Sequence, residues 1–315
     1  MKQNNYLLNL LKVTIFSFLL IATAPVRAEI KVVTTIKPLH SLVANVMDGI
    51  GEPGLIIDGS ISPHSFTMKP SHAKMLEEAD VIFWIGEGIE TSMEGPLDSI
   101  AKGAEVIEFM ELDSIAKLKF REESIFGDHD DHDDHDDHEE HDDHGHAHGE
   151  FDAHIWLDPM NAKEMVHEIA HELSHLDPAN KDKYESNADA TIKTLEDLMN
   201  DVSQNINQDA KFVVFHDAYQ YFEERFNVNI LGAFTVNTDV MPGAEQLAEI
   251  REIIEHDKVA CVFSEPQFNP DIIKAVAKDM DIKTGVVDPL GATLNPGKDL
   301  YFDLIKNMSS SFKNC

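Results

Sequence analysis

The sequence predicts an α/β fold of two lobes, each a mainly parallel four-stranded sheet flanked by helices, joined by one long rigid helix. Three observations predict it. Short β-branched runs alternate with amphipathic helical segments, the rhythm of parallel sheets built with helical crossovers. The runs fall into two groups of four. Between the groups lies a long helix-forming stretch with no glycine and, after Pro178, no proline.

In the first group, residues 30–35 (IKVVTT) form a strand, followed by a helix over 38–47 and a second strand at 54–57 (GLII). A helix over 71–78 leads into a strand at 81–85 (VIFWI), and 105–109 (EVIEF) is the fourth strand. The second group comprises 211–215 (KFVVF), 228–231 (VNIL), 259–263 (VACVF) and 282–287 (IKTGVV), each followed by a helical pattern, and a last helix runs over 299–312. The connecting helix is expected over 178–205, with Asp177 and Pro178 as start signals. Its packed stripe is Ala188, Ile192, Leu195, Leu198, Met199 and Val202. The expected division is thus a first lobe at 29–177, a connector at 178–207 and a second lobe at 208–315. Such a stiff connection favours small lobe tilts over wide hinge closure.

Residues 1–28 read as a secretory signal peptide: Lys2 and Lys12 border an apolar run at 13–24, and VRA precedes cleavage after Ala28. That run is shorter than the roughly 18–20 apolar residues needed to span a bilayer. The formal net charge of the 315 residues is −33, and twelve of the negative charges lie in 127–150, which has no Lys or Arg. The moderately acidic remainder argues against nucleic acid or anionic membrane as partners and suits a protein that handles cations. Two cysteines in an exported chain, Cys261 and Cys315, are either a disulfide stable in an oxidising compartment or two free thiols.

The stretch at 127–150, GDHDDHDDHDDHEEHDDHGHAHGE, carries eight histidines: His129, His132, His135, His138, His141, His144, His146 and His148. It is too charged to bury and is expected to be a disordered surface loop inserted late in the first lobe. Assembling one coordination shell from it costs chain entropy, so it is expected to hold several metal ions weakly. Three other histidines stand in more specific contexts. His64 lies in GSISPHSFTMKPS after the second strand, His154 in FDAHIWLDP just beyond the acidic run, and His216 in VVFHDAYQYFEERF at a strand exit. Strand exits of open parallel sheets face the crevice where ligands bind, so the three could converge between the lobes. Three neutral imidazoles with one oxygen donor or water make a tetrahedral Zn²⁺ shell. Asp288, in VVDPLG at another strand exit, is the first oxygen candidate, and Glu265, in FSEPQF, a weaker one.

One competing pattern is HELSH, His171-Glu172-x-x-His175, which matches the zinc-protease signature with Glu172 as general base. Asp177 and Pro178 end that helix almost at once, and no G-x-x-H follows. His167, His171 and His175 step by four along a helix whose apolar face includes Val166, Ile169, Leu173 and Leu176, so a solvated helix flank is the expected reading.

Taken together, residues 29–315 resemble the zinc-binding members of the metal-specific periplasmic substrate-binding proteins of ABC importers, the family usually called ZnuA. The matching residues are SPHSFTMKPS with His64, DAHIWLDP with His154 and FHDAYQYFEERF with His216. The acidic His-rich stretch, the long connecting helix, EPQF and DPLG match as well. The resemblance implies capture of Zn²⁺ in the periplasm between two lobes and delivery to an inner-membrane permease with its ATPase subunit, by a monomer that is not an enzyme. It implies His64, His154 and His216 as primary ligands and Asp288 at an acidic fourth position that zinc members fill with carboxylate or water. Manganese-binding relatives usually have Glu where His216 stands, and histidine favours the more nitrogen-preferring Zn²⁺. Some zinc members place a Glu directly before the first ligand, where Pro63 stands here. The family's zinc branch also pairs two cysteines placed as Cys261 and Cys315 are. The His-rich stretch would serve as an accessory zinc collector or sensor, with a periplasmic zinc chaperone as a further partner. The alternatives are a zinc hydrolase using HELSH or the three-histidine centre, and a periplasmic zinc buffer or adhesin.

Overall fold

The computed structural model describes residues 29–121, 123–126, 150–238, 240–278 and 280–315. The expected signal peptide and all eight histidines of the acidic stretch lie outside the described residues. Among the described residues no helix is long and apolar enough to cross a membrane.

The first lobe contains β1 (Val32–Ile36), α1 (Lys37–Val46), β2 (Gly54–Ile57), α2 (Pro70–Glu78), β3 (Val81–Trp84), α3 (Glu94–Ile100) and β4 (Glu105–Glu108), with strand order β2-β1-β3-β4. Then come α4 (Pro159–Leu176) and α5 (Lys181–Asn205). The second lobe contains β5 (Lys211–His216), α6 (Gln220–Phe226), β6 (Asn229–Thr235), α7 (Ala244–His256), β7 (Cys261–Ser264), α8 (Asp271–Ala277), β8 (Lys283–Val286) and α9 (Leu300–Asn314), in the order β6-β5-β7-β8. All pairings within both sheets are parallel. Every residue of β1 and β3 is buried, as expected where helices cover both faces of a sheet and apolar residues run on without alternating. The two-sheet expectation is therefore met, with strand ends displaced by one or two residues and β6 extended to Thr235.

Two elements differ from expectation. The long helix starts at Lys181, not at 178, because Asp177 and Pro178 belong to the turn between α4 and α5. There the Asp177 carboxylate accepts from the Asn180 side-chain amide at 2.6 Å and from the Tyr184 hydroxyl at 3.2 Å, which fixes the first turn of α5. The second difference is α9, expected as a second-lobe element but anchored in both lobes. Phe312 packs on Phe212 and Phe263 of the second sheet, at centroid distances of 5.1 and 5.0 Å. At the other end the Tyr301 backbone N–H donates to Ser41 Oγ in α1 at 3.0 Å. Accordingly one hydrophobic core runs through both lobes, from Val32 to Phe312, and a smaller cluster around Val213, Phe234, Ile250 and Val262 fills the outer face of the second sheet.

Polar contacts across the lobes reinforce that core. The Lys37 ammonium is buried and donates to the carbonyls of Gly291, Ala292 and Leu294 at 2.7, 3.2 and 2.6 Å. Gly291 adopts φ +65°, a conformation side chains disfavour, and so lets these carbonyls converge on one cation. Trp156 Nε1 donates to Pro289 O at 2.8 Å, and the Tyr301 hydroxyl donates to Trp156 O at 2.7 Å. Arg225 is bidentate to Asp158, the residue that caps α4, at 2.7 Å on both arms.

Both ends of the acidic stretch are held by β-type contacts. On the entry side the Phe126 N–H donates to Leu231 O and the Ala233 N–H to Ser124 O, each at 2.8 Å, adding an antiparallel bridge to β6. Gly232 permits this, since a Cβ there would lie 2.6 Å from the Ser124 carbonyl. On the exit side the Phe120 N–H donates to Glu150 O and the Asp152 N–H to Leu118 O. The stretch therefore leaves from the second sheet's edge and returns beside Asp152. Cys261, in β7, is disulfide-bonded to Cys315 at the end of α9, with Cα atoms 5.7 Å apart, which resolves the two readings of the cysteines in favour of the bridge.

Candidate metal centre

His64 sits on a single 3₁₀ turn, Pro63–Ser65, that Pro63 pre-sets and the buried Phe66 anchors beyond. His154 precedes the 3₁₀ turn Ile155–Leu157, whose three residues are buried and lead into α4. His216 ends β5, which lies beside β7 where the strand order of the second sheet reverses, the place open α/β sheets offer to ligands. The three expected histidines meet there: each offers a ring nitrogen, and these lie within 4.8 Å of one another. Ring centroids are 5.3 to 5.9 Å apart, and none of the pairs is stacked face to face.

The two deeper rings are oriented by carboxylates. His154 Nδ1 donates to Asp152 Oδ1 at 2.7 Å, and the same oxygen accepts the His154 backbone N–H at 2.9 Å. His216 Nδ1 donates to Glu265 Oε1 at 2.7 Å. With each Nδ1 committed as donor, the two Nε2 atoms face one another at 3.4 Å. Two lone pairs so placed call for a proton or a cation between them. Two nitrogens bound at about 2.0–2.1 Å to one tetrahedral Zn²⁺ lie about 3.3–3.4 Å apart, so the observed separation is that of a zinc shell. Carboxylate behind imidazole is also the usual way a ligating histidine has its tautomer fixed and its basicity raised.

Burial alone would lower the His216 pKa, but Glu265, with smaller contributions from Asp217 and Asp152, outweighs it, and the net shift is upward. Asp217, next in sequence, has its carboxyl pushed up to about 7, chiefly by burial, against the pull of Arg121 at 3.1 Å. The space enclosed by His64, His154, His216, Trp156, Phe268 and Leu290 amounts to about 10 Å³, enough for an ion or a water but not for an organic substrate.

The expected oxygen donors fall elsewhere. Asp288 is outside the three-histidine group: its Oδ1 accepts from Gln267 Nε2 at 3.0 Å and from the Leu290 N–H at 3.2 Å, so it closes its own turn. Glu265 lies outside the three-histidine group as well: it meets the Nδ1 of His216 and lines the small cavity beside it. Sequence reasoning quoted Asp152 inside DAHIWLDP without giving it a role; a carboxylate two residues before a candidate ligand was the available signal. The zinc-protease geometry is not formed either. Among the described residues no metal-holding group contains both His171 and His175, and Glu172 falls into a group with each separately.

With this geometry in place, comparison with known proteins is specific. The profile of the family described as "Zinc-uptake complex component A periplasmic" (ZnuA) matches residues 32–315. A high-affinity zinc uptake system protein of Brucella abortus is 44% identical over 303 residues, covering 90% of this chain and 91% of the relative. The corresponding Yersinia pestis protein is 35% identical over 313 residues, covering 95% of each. Among solved structures, a ZnuA crystal structure superimposes with TM-score 0.74 at 23% identity, covering 91% of this chain and 98% of that one. The laminin-binding protein Lmb of Streptococcus agalactiae, described as having adhesin and metal-transporting activity, gives 0.71 at 24% identity, covering 90% and 100%. At such identities the structural likenesses speak for the fold, while the profile and the two sequence relatives speak for descent. The chain belongs to the ZnuA family, the periplasmic component A of zinc-uptake complexes.

Proposed function

We infer that this protein captures Zn²⁺ in the periplasm and presents it to the permease and ATPase of an ABC importer, zinc being cargo and not a catalytic cofactor. The observation that carries the reading is the pair of Nε2 atoms 3.4 Å apart, each ring braced from behind by a carboxylate, with His64 closing the third side. In this reading His64, His154 and His216 are the ligands, and water takes the fourth position in place of Asp288. Ligation requires neutral imidazoles, so a proton held between the two rings must leave as zinc enters. Among the described residues the space enclosed at the centre is too small for an organic substrate, which suits a carrier that makes and breaks no covalent bond. The His-rich stretch would collect zinc or pass it on from a periplasmic zinc chaperone, and the carrier itself would act as a monomer.

Zinc titration of four forms tests this: the exported chain, a deletion of 128–148, His64→Ala, and His171→Ala/His175→Ala. One tight site should survive the deletion and the α4 double substitution. In His64→Ala it should weaken by more than the roughly 10–100-fold typical of losing one supporting hydrogen bond. Unchanged tight binding in His64→Ala would refute the assignment.

A further inference from the structure

A second group of ligands lies on the other edge of the first lobe. Of the central histidines His216 ends β5, whereas Glu105 is the first residue of β4, at a strand entrance, and HELSH occupies the last turns of α4. Glu168, His171, Glu172 and His175 are spaced three and four apart and so share one face of that helix. Two overlapping groups result, Glu105 with Glu172 and His175, and Glu168 with His171 and Glu172, and within each the ligand atoms lie within 4.8 Å of one another. Glu172 is common to both, is only 8% exposed, and accepts from His171 Nδ1 at 3.0 Å. Carboxylates so close together repel unless a cation or a proton stands between them.

The two histidines also border a cleft of about 400 Å³ between α4 and α5, which gives an ion access to them from solvent. Ser174, 7% exposed, lines the same cleft, and its hydroxyl has no hydrogen-bond partner among the described residues. A protease centre would need both histidines on one ion with Glu172 free as base; here Glu172 instead sits among the donors of both groups.

We propose that this face of α4 is a second, exchangeable Zn²⁺ site, in which Glu172 is the constant ligand, one of His171 and His175 supplies nitrogen, and Glu168 or Glu105 completes the shell. One imidazole and two carboxylates suit a first-row divalent ion, with less nitrogen than the central shell and far more water, so it binds more weakly. The choice of zinc rests on the function inferred above; the site rests on its own geometry.

Residue-resolved histidine side-chain NMR of the exported chain during Zn²⁺ addition tests the proposal. The first equivalent should shift His64, His154 and His216, and later equivalents His171 or His175. Glu172→Gln should weaken the α4 response by at least about 10-fold, leaving the central response intact. Should Glu172→Gln fail to fold, the exposed pair His171→Ala/His175→Ala replaces it, with loss of the later, weaker binding step in the zinc titration as the expected result while the first equivalent still shifts His64, His154 and His216. Silent α4 histidines beside a responding centre overturn this site alone. An α4 response unaltered in Glu172→Gln also overturns it, since the buried carboxylate is its core. Silence at both places overturns this site and the zinc reading together.

Discussion

His154 and His216 are each held by one carboxylate, and those carboxylates set what the rings can do. Asp152 and Glu265 fix both Nδ1 atoms as donors and so turn both Nε2 lone pairs inward. Because Glu265 contributes to raising the His216 pKa, the stability of the metal-free Glu265–His216 ion pair is fully present below pH 6.5. It is lost as pH rises through the raised value. As a proposed ligand His216 must be neutral to bind zinc, so binding should strengthen over the same interval and fail on acidification. Glu265→Gln removes the charge that favours imidazolium. In a chelator competition from pH 5 to 8, this variant should bind zinc roughly 10–100-fold more weakly at pH 7.5, and the pH midpoint at which its affinity begins to fall should lie lower than in the unaltered protein. An unchanged pH midpoint would count against Glu265 as the group that tunes His216. The three histidines were legible in the sequence because each sits in a distinctive loop or strand-exit context. The roles of Asp152 and Glu265 were not, since only folding decides which nitrogen a carboxylate meets.

Among the elements, α9 departs most from its expected place. Its apolar positions predicted a helix correctly, but a helix pattern says which face is buried and not what buries it. Phe312 lies on the second sheet while Tyr301 is tied to α1, so α9 bridges what the sequence divided at a single connector. The bridge is locked by Cys261–Cys315, a sequence separation of 54. Restricting the unfolded chain by a loop of that length contributes about 4 kcal/mol from chain entropy. Cys315→Ser should lower urea-unfolding stability by that order while leaving tight zinc binding in place. A loss well under 1 kcal/mol would mean that packing of Phe312 alone holds α9. The turn at Asp177 and Pro178 teaches the same lesson on a smaller scale: a start signal was present, but Asp177 Oδ2 accepts from both Asn180 and Tyr184, and the helix begins only at Lys181.

For the whole molecule, the contacts across the lobes determine how zinc can leave. Lys37 under three carbonyls, Trp156 on Pro289, Arg225 on Asp158 and the shared core all join the halves close to the centre. Wide opening would strip each of these at once and expose the shared apolar core to water. Release should therefore proceed by small tilts and by movement of the turns that carry His64 and His216. Spin labels on α2 and α7, read with and without zinc, should show closely similar distance distributions. A shift corresponding to rotation by tens of degrees would contradict this.

By itself the sequence determined the two-sheet α/β plan and the family, and it singled out the three histidines proposed as ligands. These rest on local patterns: alternation of strand and helix, turn residues before ligands, and motifs of contiguous residues. The tertiary structure decided which carboxylates brace the rings, that Asp288 closes a turn, that α9 belongs to both lobes, and that HELSH joins β4 to form two overlapping donor groups. Each of these depends on side chains far apart in the chain, whose distances are set by packing, and no spacing along the sequence encodes them.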